Sequence, residues 1–276
     1  MRVMAWCSEK GGTGKSSSAI NTAVALAKAG LRVLLADLDP QANASLVLLG
    51  GEPAGPPSLA DVLLGSAATS EAIRPTTTTG LDVLPAAADL AEANVTLTTA
   101  IGRETRLRTA LEGLDYDVVV IDTPPTRSIL TVNALVAAAE VLIPVEPSLF
   151  ALAGLGALQS AIDDVRRYLG NPRLRVAGIL LTRTRNDNVS RDVEGQLRAG
   201  FGDLVFKTTV PTSIKVEEAH GRFQSVIDYS PRSPGARAYL SLAEEIIANG
   251  SRAKERVGPG PDRTVPPERG PGRRAG

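Results

Sequence analysis

The sequence predicts a doubly wound α/β domain with a mostly parallel sheet, and three observations carry that expectation. Apolar runs of strand length recur along the chain, helical patterns separate them, and a glycine-rich loop lies between the first run and the first helix. Strands alternating with helices give a parallel sheet whose two faces are both covered.

The strand-length runs are Arg2–Cys7, Leu31–Ala36, Leu81–Pro85, Asp117–Ile121, Val141–Val145 and Val176–Leu181, and most are continuous rather than alternating. Continuous runs indicate strands buried on both sides. Helical patterns fill Lys15–Ala29, Arg103–Glu112, Ile129–Ala138, Leu152–Tyr168 and Val189–Ala199, and Gly30 stands where a helix-terminating glycine belongs. A closing helix is predicted over 234–249, opened by Pro234, with Ala238, Leu242 and Ile246 on one face and its end near Gly250. The division that follows is one domain over 1–250 and a tail over 251–276. That tail is rich in Gly, Pro and Arg, and its composition predicts disorder.

The chain is neutral overall, with 30 basic and 30 acidic side chains; the last 26 residues hold seven Lys/Arg against three Asp/Glu, leaving the body mildly acidic. Nucleic acid would therefore meet a local patch or the tail, not a globally basic surface. A single cysteine, Cys7, excludes an internal disulfide, a four-cysteine zinc site and a self-contained iron–sulfur cluster. It is read as a small buried side chain, and the expected setting is the reducing cytoplasm. No run approaches the roughly 18 apolar residues of a membrane span, and the N-terminus enters a strand with no signal-peptide pattern. Trp6, Phe201 and Tyr239 are read as core, and His220, the only histidine, as structural.

Chemistry concentrates in three places. The segment Ser8-Glu9-Lys10-Gly11-Gly12-Thr13-Gly14-Lys15-Ser16 follows a strand and opens a helix, the setting of a phosphate loop. Its glycines let backbone N–H groups turn inward around an anion, and the helix N-terminus adds its dipole. Lys15 is placed to reach β- and γ-phosphates, Ser16 to ligate Mg²⁺, and Thr13 and Ser17 to complete the cradle. The second strand ends in Asp37-Leu38-Asp39-Pro40-Gln41, and the fourth in Asp122-Thr123-Pro124-Pro125. Carboxylates at the C-terminal ends of parallel strands face the ligand crevice; Asp122 is the candidate for Mg²⁺.

The strict phosphate-loop motif fails at Glu9, where it requires glycine, and a lysine, Lys10, follows. Lys-Gly-Gly-x-Gly-Lys-Ser resembles the deviant Walker A loop of the ParA/Soj/MinD superfamily of P-loop ATPases. The resemblance extends over about 250 residues: Asp37-Leu38-Asp39-Pro40-Gln41, Ile143-Pro144-Val145-Glu146-Pro147 with Ala151-Leu152-Ala153-Gly154-Leu155, Gly178-Ile179-Leu180-Leu181-Thr182, and Val210-Pro211 through Glu217-Glu218-Ala219 and Ser233-Pro234-Gly235. It implies ATP and Mg²⁺ as ligands, Lys10 reaching the phosphates of a partner subunit's nucleotide, Asp39 orienting the attacking water, and Asp37 supporting the metal-water shell and the loop. Thr182, Arg183 and Pro211 are implied adenine contacts, from the loops after the Gly178 and Val210 strands. Lys10, Lys15 and Asp39 are thus the expected catalytic set.

The implied activity is that of a ParA-like ATPase. It would dimerise on Mg·ATP, bind DNA non-specifically near the nucleoid, and hydrolyse ATP slowly under stimulation by a ParB-like or other partner, in partition of plasmid or chromosome or in cargo positioning. The DNA candidates are Arg183, Arg185 and Lys215, with Arg191, Arg198 and the tail's Arg252, Lys254 and Arg256 nearby, although the family usually carries more arginine around Pro211. One alternative is a MinD-like membrane-positioning ATPase, against which the tail offers no apolar face, so no membrane is expected. The other is a metabolic enzyme with the same loop: one cysteine cannot supply a nitrogenase-reductase cluster, and the Asp-Leu-Asp-Pro-Gln run argues against a biotin-pathway ligase. A non-hydrolysing adaptor is disfavoured by Asp39.

Overall fold

A computed structural model describes residues 1–148 and 151–255. The chain begins β1 (Arg2–Trp6), α1 (Lys15–Lys28), β2 (Val33–Asp37), α2 (Asn43–Leu48), α3 (Leu59–Leu64), α4 (Thr69–Ala72), β3 (Arg74–Pro75), β4 (Leu81–Leu84), α5 (Leu90–Leu97), α6 (Arg106–Leu111) and β5 (Val118–Asp122). It continues α7 (Ile129–Ala137), β6 (Glu140–Val145), α8 (Ala151–Tyr168), β7 (Arg175–Thr184), α9 (Asn188–Phe201), β8 (Val205–Pro211), α10 (Ile214–Gly221), α11 (Val226–Tyr229) and α12 (Pro234–Glu255). The strands form one sheet in the order β3-β4-β2-β5-β1-β6-β7-β8, parallel throughout except for β3 on β4.

Every residue of β2, β5 and β6 is buried, as continuous apolar runs require. Alternate side chains then feed two cores. Leu34, Val119, Ile121 and Val141 join α3, α5, α7 and α8 on one face; Met4, Trp6, Leu35 and Val120 join α1, α2, α11 and α12 on the other. Trp6 and Tyr239 are buried and Phe201 packs at the rim of the first core, as read from the sequence. Cys7 is buried, and burial pushes its thiol up to about 12, which leaves it without thiolate character. Among the described residues, no helix is long and apolar enough to cross a membrane.

Two helices differ most from expectation at their ends. The 103–112 pattern begins as a tight 3₁₀ turn, Arg103–Thr105, before α6. The closing helix runs five residues past Gly250, because Gly250 is a site of close approach and not a terminator. The Arg2 guanidinium crosses there to donate to the Ile246 carbonyl at 2.9 Å, and a Cβ on Gly250 would meet it at 2.5 Å. The remainder of the predicted tail, 256–276, lies outside the described residues. Gly30 does close α1, in the left-handed conformation at φ +91°.

Gly178 is the tightest such approach, since its Cβ would lie 2.2 Å from the ring of buried Phe206 across β7 and β8. Gly178→Ala should therefore destabilise the domain by about 1–3 kcal/mol through overpacking. Urea unfolding reads this directly, and an unchanged midpoint would show that the Phe206 ring moves aside freely.

Candidate functional site

The loop between β1 and α1 is held from several sides. Gly12 and Gly14 adopt left-handed φ of +77° and +83°, which a side chain would resist. The Thr13 hydroxyl donates to the Lys10 carbonyl at 3.3 Å, and the Thr182 hydroxyl donates to the Thr13 carbonyl at 2.8 Å. Glu9, where the strict motif has glycine, is ion-paired with Arg127 of the loop after β5. Gly14 caps α1 without any side-chain hydrogen bond, so the N–H groups of the first turn remain available to an anion.

Behind the loop, register brings the acids together. Asp122 at the end of β5 pairs with Trp6 of β1 on one side and with Asp37 of β2 on the other. Both Asp122 oxygens are buried without a hydrogen-bond partner. Burial first, and the neighbouring Asp37 second, raise its pKa well above the carboxylate range, opposed by Ser16 and Lys15. An orphaned buried carboxylate is costly to keep and is the signature of a site completed by a cation. With the Ser16 hydroxyl beside it, the donor set fits Mg²⁺, which takes one or two protein oxygens and fills its shell with phosphate and water. That mode of binding needs no protein cage, and among the described residues no cluster of three or more His, Cys, Asp or Glu side chains forms one.

Asp37 is differently placed. Its Oδ1 accepts from the Asp39 N–H at 3.1 Å, and its Oδ2 accepts from the Ser45 N–H at 2.8 Å and the Ser45 hydroxyl at 2.7 Å. Burial pushes its pKa up to about 6 against the Ser45 bonds. These bonds engage both Asp37 oxygens, one with the loop at Asp39 and the other with Ser45 of α2. Asp39 is 8% exposed and accepts from the Gln41 N–H at 3.0 Å through Oδ1 alone. Lys15 is buried beside these acids; burial lowers its pKa, and Asp122 and Asp39 counter that shift.

A cavity of about 410 Å³ opens from the loop. It is lined by Gly12, Gly14, Lys15, Ser16 and Ser17, and farther out by Ile20, Leu46, Val47, Arg183, His220 and Phe223. Of the implied adenine contacts, only Arg183 borders it. Thr182 supports the loop backbone, and Pro211 pairs with Thr184 at the end of β8. His220, expected to be structural, faces the cavity. Its Nε2 is buried without a partner, and burial lowers its pKa. Sequence reasoning also missed Phe223, whose only signature is conformational. Three non-glycine residues among those described have left-handed φ: Ala42 (+53°), Arg183 (+51°) and Phe223 (+54°). Two of them line this cavity, and the third adjoins Asn43, which also does.

Lys10 lies outside that cavity. It is half exposed and ion-paired with Glu146 at the end of β6, at 3.6 Å. The DNA candidates Arg183 and Lys215 come together around α10, but each meets an acid of that helix: Glu217 at 3.4 Å and Glu218 at 2.6 Å. Arg185 is exposed beside Asp187.

Lys15→Ala should weaken triphosphate binding by about 10²-fold or more, since it removes a charge aimed at the phosphates from a partly dry site. Isothermal titration with ATP measures this, and wild-type affinity would remove the phosphate-loop assignment. Asp122→Asn keeps the shape and discards a charge that is costly to bury. The nucleotide-free variant should melt no lower than wild type, while the gain in ATP affinity on adding Mg²⁺ falls about 10–100-fold. A lower melting temperature with unaltered Mg²⁺ dependence would make Asp122 purely structural.

Comparison with known proteins agrees with this geometry. Residues 1–176 match the family model described as AAA domain. The chain is 42% identical over 261 residues to the chromosome partitioning protein ParA of Caulobacter vibrioides, covering 93% of this chain and 96% of that protein. It is 40% identical over 253 residues to the sporulation initiation inhibitor protein Soj of Bacillus subtilis, covering 90% and 99%. A solved structure of cobyrinic acid a,c-diamide synthase from Mycobacterium smegmatis, with a bound ATP analogue and magnesium, superposes with a TM-score of 0.78 at 34% identity, covering 92% of this chain and 97% of that one. These two relatives, ParA and Soj, match nearly end to end at 40% identity or more, and the chain accordingly belongs to the ParA/Soj family of P-loop ATPases.

Proposed function

We propose that the chain is a partition ATPase that dimerises on Mg·ATP, binds DNA non-specifically in that state, and is reset by slow hydrolysis under stimulation by a ParB-like or other partner. The observation that carries the reading is the position of Lys10. The lysine that the loop motif supplies is not among the residues lining its own nucleotide cavity; it is half exposed and paired with Glu146 at the end of β6, which leaves it accessible to a second subunit's nucleotide. Within one subunit, Lys15 and the first-turn N–H groups of α1 hold the phosphates, Ser16 and Asp122 hold the cation, and Asp39 stands at the crevice to orient a water. Bound there, Mg²⁺ would neutralise charge on the β- and γ-phosphate oxygens. Phosphoryl transfer needs positioning and charge stabilisation more than covalent help, and buried, pre-arranged groups of this kind provide it.

Magnesium and nucleotide are supported by the donor set and by the solved relative with both bound. That neighbour's name suggests a synthase as a second reading, but the chromosome partitioning protein ParA is more similar in sequence, at 42% identity against 34%. A cytoplasmic, nucleoid-associated location follows from the partition reading.

Lys10→Ala should reduce ATP-dependent dimerisation and turnover together while leaving ATP binding by the monomer nearly unchanged. Light scattering and a phosphate-release assay on one preparation test this; an intact ATP-dependent dimer with normal turnover would return Lys10 to a solvated loop residue. DNA contact by Arg183 and Lys215 is opposed by Glu217 and Glu218, so the double variant Glu217→Gln, Glu218→Gln should bind DNA several-fold tighter with ATP, with a steeper salt dependence. Unchanged binding would place the DNA surface elsewhere.

A further inference from the structure

One exposed guanidinium, that of Arg127, joins three loops at the ligand end of the sheet. β1 has β5 on one side and β6 on the other. Arg127 belongs to the loop after β5, Glu9 to the loop after β1, and Ala157 to α8, the helix that follows β6. The Arg127 Nε donates to the Glu9 carboxylate, and its Nη2 donates to the Ala157 carbonyl at 2.8 Å.

The base of this arm is stiff. The Thr126 carbonyl accepts from the Ser128 N–H at 3.0 Å and from the Thr131 hydroxyl at 2.6 Å, and the Ser128 side chain caps α7. The limb of the phosphate loop that the arm grips, Ser8 to Gly12, is held less firmly. Its local hydrogen bonds are long, 3.5 Å from the Ser8 hydroxyl and 3.3 Å from the Thr13 hydroxyl, both onto the Lys10 carbonyl, and two of its five residues are glycines. Packing adds little, since a crevice of about 40 Å³ lies between Lys10 and Thr13 on one side and Leu155 and Leu158 of α8 on the other. Side-chain tethers therefore restrain the limb: Glu9 on Arg127, and Lys10 on Glu146 at 3.6 Å. The glycine that the strict motif requires at position 9 would offer no handle of this kind.

Stability does not account for the contact. The Arg127 and Glu9 side chains are 58% and 29% exposed, and ion pairs that water reaches contribute little to folding. A stiff arm supplies pre-organisation instead. A residue beside the tether is held in place before its ligand arrives, which reduces the ordering that binding would otherwise require. Lys10 is that residue.

We propose that Arg127 is a positioning residue for the dimeric state: braced on the Ala157 carbonyl, it fixes Glu9 and thereby presents Lys10 from a set position to the nucleotide of the partner subunit. The inference rests on the dimer reading above and adds α8 to it, because the brace makes the presentation of Lys10 depend on where α8 sits.

The test uses the full chain with Mg·ATP and the variants Arg127→Ala and Glu9→Ala, made singly, together, and, for Arg127→Ala, in the Lys10→Ala background. The melting temperature of Arg127→Ala and its ADP affinity by titration calorimetry should match wild type, since Lys15 and the first turn of α1 are untouched. Analytical ultracentrifugation should show the dissociation constant of the ATP-dependent dimer rising about threefold to tenfold in each single variant, the scale of one partly exposed charged contact. The double variant should lose no more than either single one, because the two side chains act as a unit. Added to Lys10→Ala, Arg127→Ala should change neither dimerisation nor turnover further. Wild-type dimerisation in Arg127→Ala, additive losses in the double variant, or a further loss of the same size in the Lys10→Ala background would overturn the assignment. A matching fall in ADP affinity or melting temperature would overturn it as well, by making Arg127 a structural support of the loop. Normal ATP-dependent dimerisation in Lys10→Ala alone would remove the dimer reading and the inference with it, and that result comes from a variant in which Arg127 and Glu9 are intact, so the two failures are distinguishable.

Discussion

The arrangement depends on the parallel register of three central strands. Asp122 of β5 lies opposite both Trp6 of β1 and Asp37 of β2. A slip of one residue in either pairing would exchange the side chains that Val118–Ile121 send into the two differently shaped cores, so the apolar runs behind the acids lock the acids in place. The phosphate loop leaves the same layer one residue after Trp6. Its Lys15 is thereby delivered to Asp122 and Asp39, the two carboxylates that lower the cost of burying its charge. Packing energy spent on the core thus positions the chemistry, and the charged groups need no ordering of their own when a ligand arrives.

The cost of that placement is visible. Asp37 is satisfied by Ser45 and by the Asp39 N–H, and the Ser45 hydroxyl in turn accepts from the Ala86 N–H at 2.9 Å, which ties the β2 loop to the segment after β4. Asp122 has no hydrogen bond of that kind and is offset only by the neighbouring Ser16 and Lys15. Two acids in register have opposite fates: one shapes the loop, and the other retains the open coordination that a cation requires. Left-handed non-glycine backbone gathers around the same cavity, as expected where local strain is held by surrounding structure.

Much of this was legible in the sequence. Buried parallel strands announce themselves as continuous apolar runs, and glycines between a strand and a helix mark the loop, so β1, β2, β4 to β7 and the phosphate cradle were all placed. The edge strand β8 was not read as an apolar run because Lys207, Thr208 and Thr209 interrupt it, being partly exposed at the sheet margin. Short helices such as α3 fell below the length at which periodicity speaks, although Ser58 and Asp61 cap it reciprocally through local hydrogen bonds that the sequence does signal. His220 and Phe223 could not be found this way. They reach the cavity wall through a turn whose φ values no composition reveals. Nor does the sequence show that the basic residues have acidic neighbours: Arg183 of β7 pairs with Glu217 across to α10, and Lys215 pairs with Glu218 one turn along that helix.

Asp39 sits where the loop chemistry and the proposed switch meet. As a water-orienting group it contributes only on the path to the transition state, so its removal separates binding from turnover. Single-turnover hydrolysis by Asp39→Ala, with light scattering on the same sample, is the most direct test. The account predicts wild-type ATP and Mg²⁺ affinity, a rate lower by roughly 10²–10⁴-fold, and a dimer that persists after ATP addition. Normal turnover in a folded variant would contradict it.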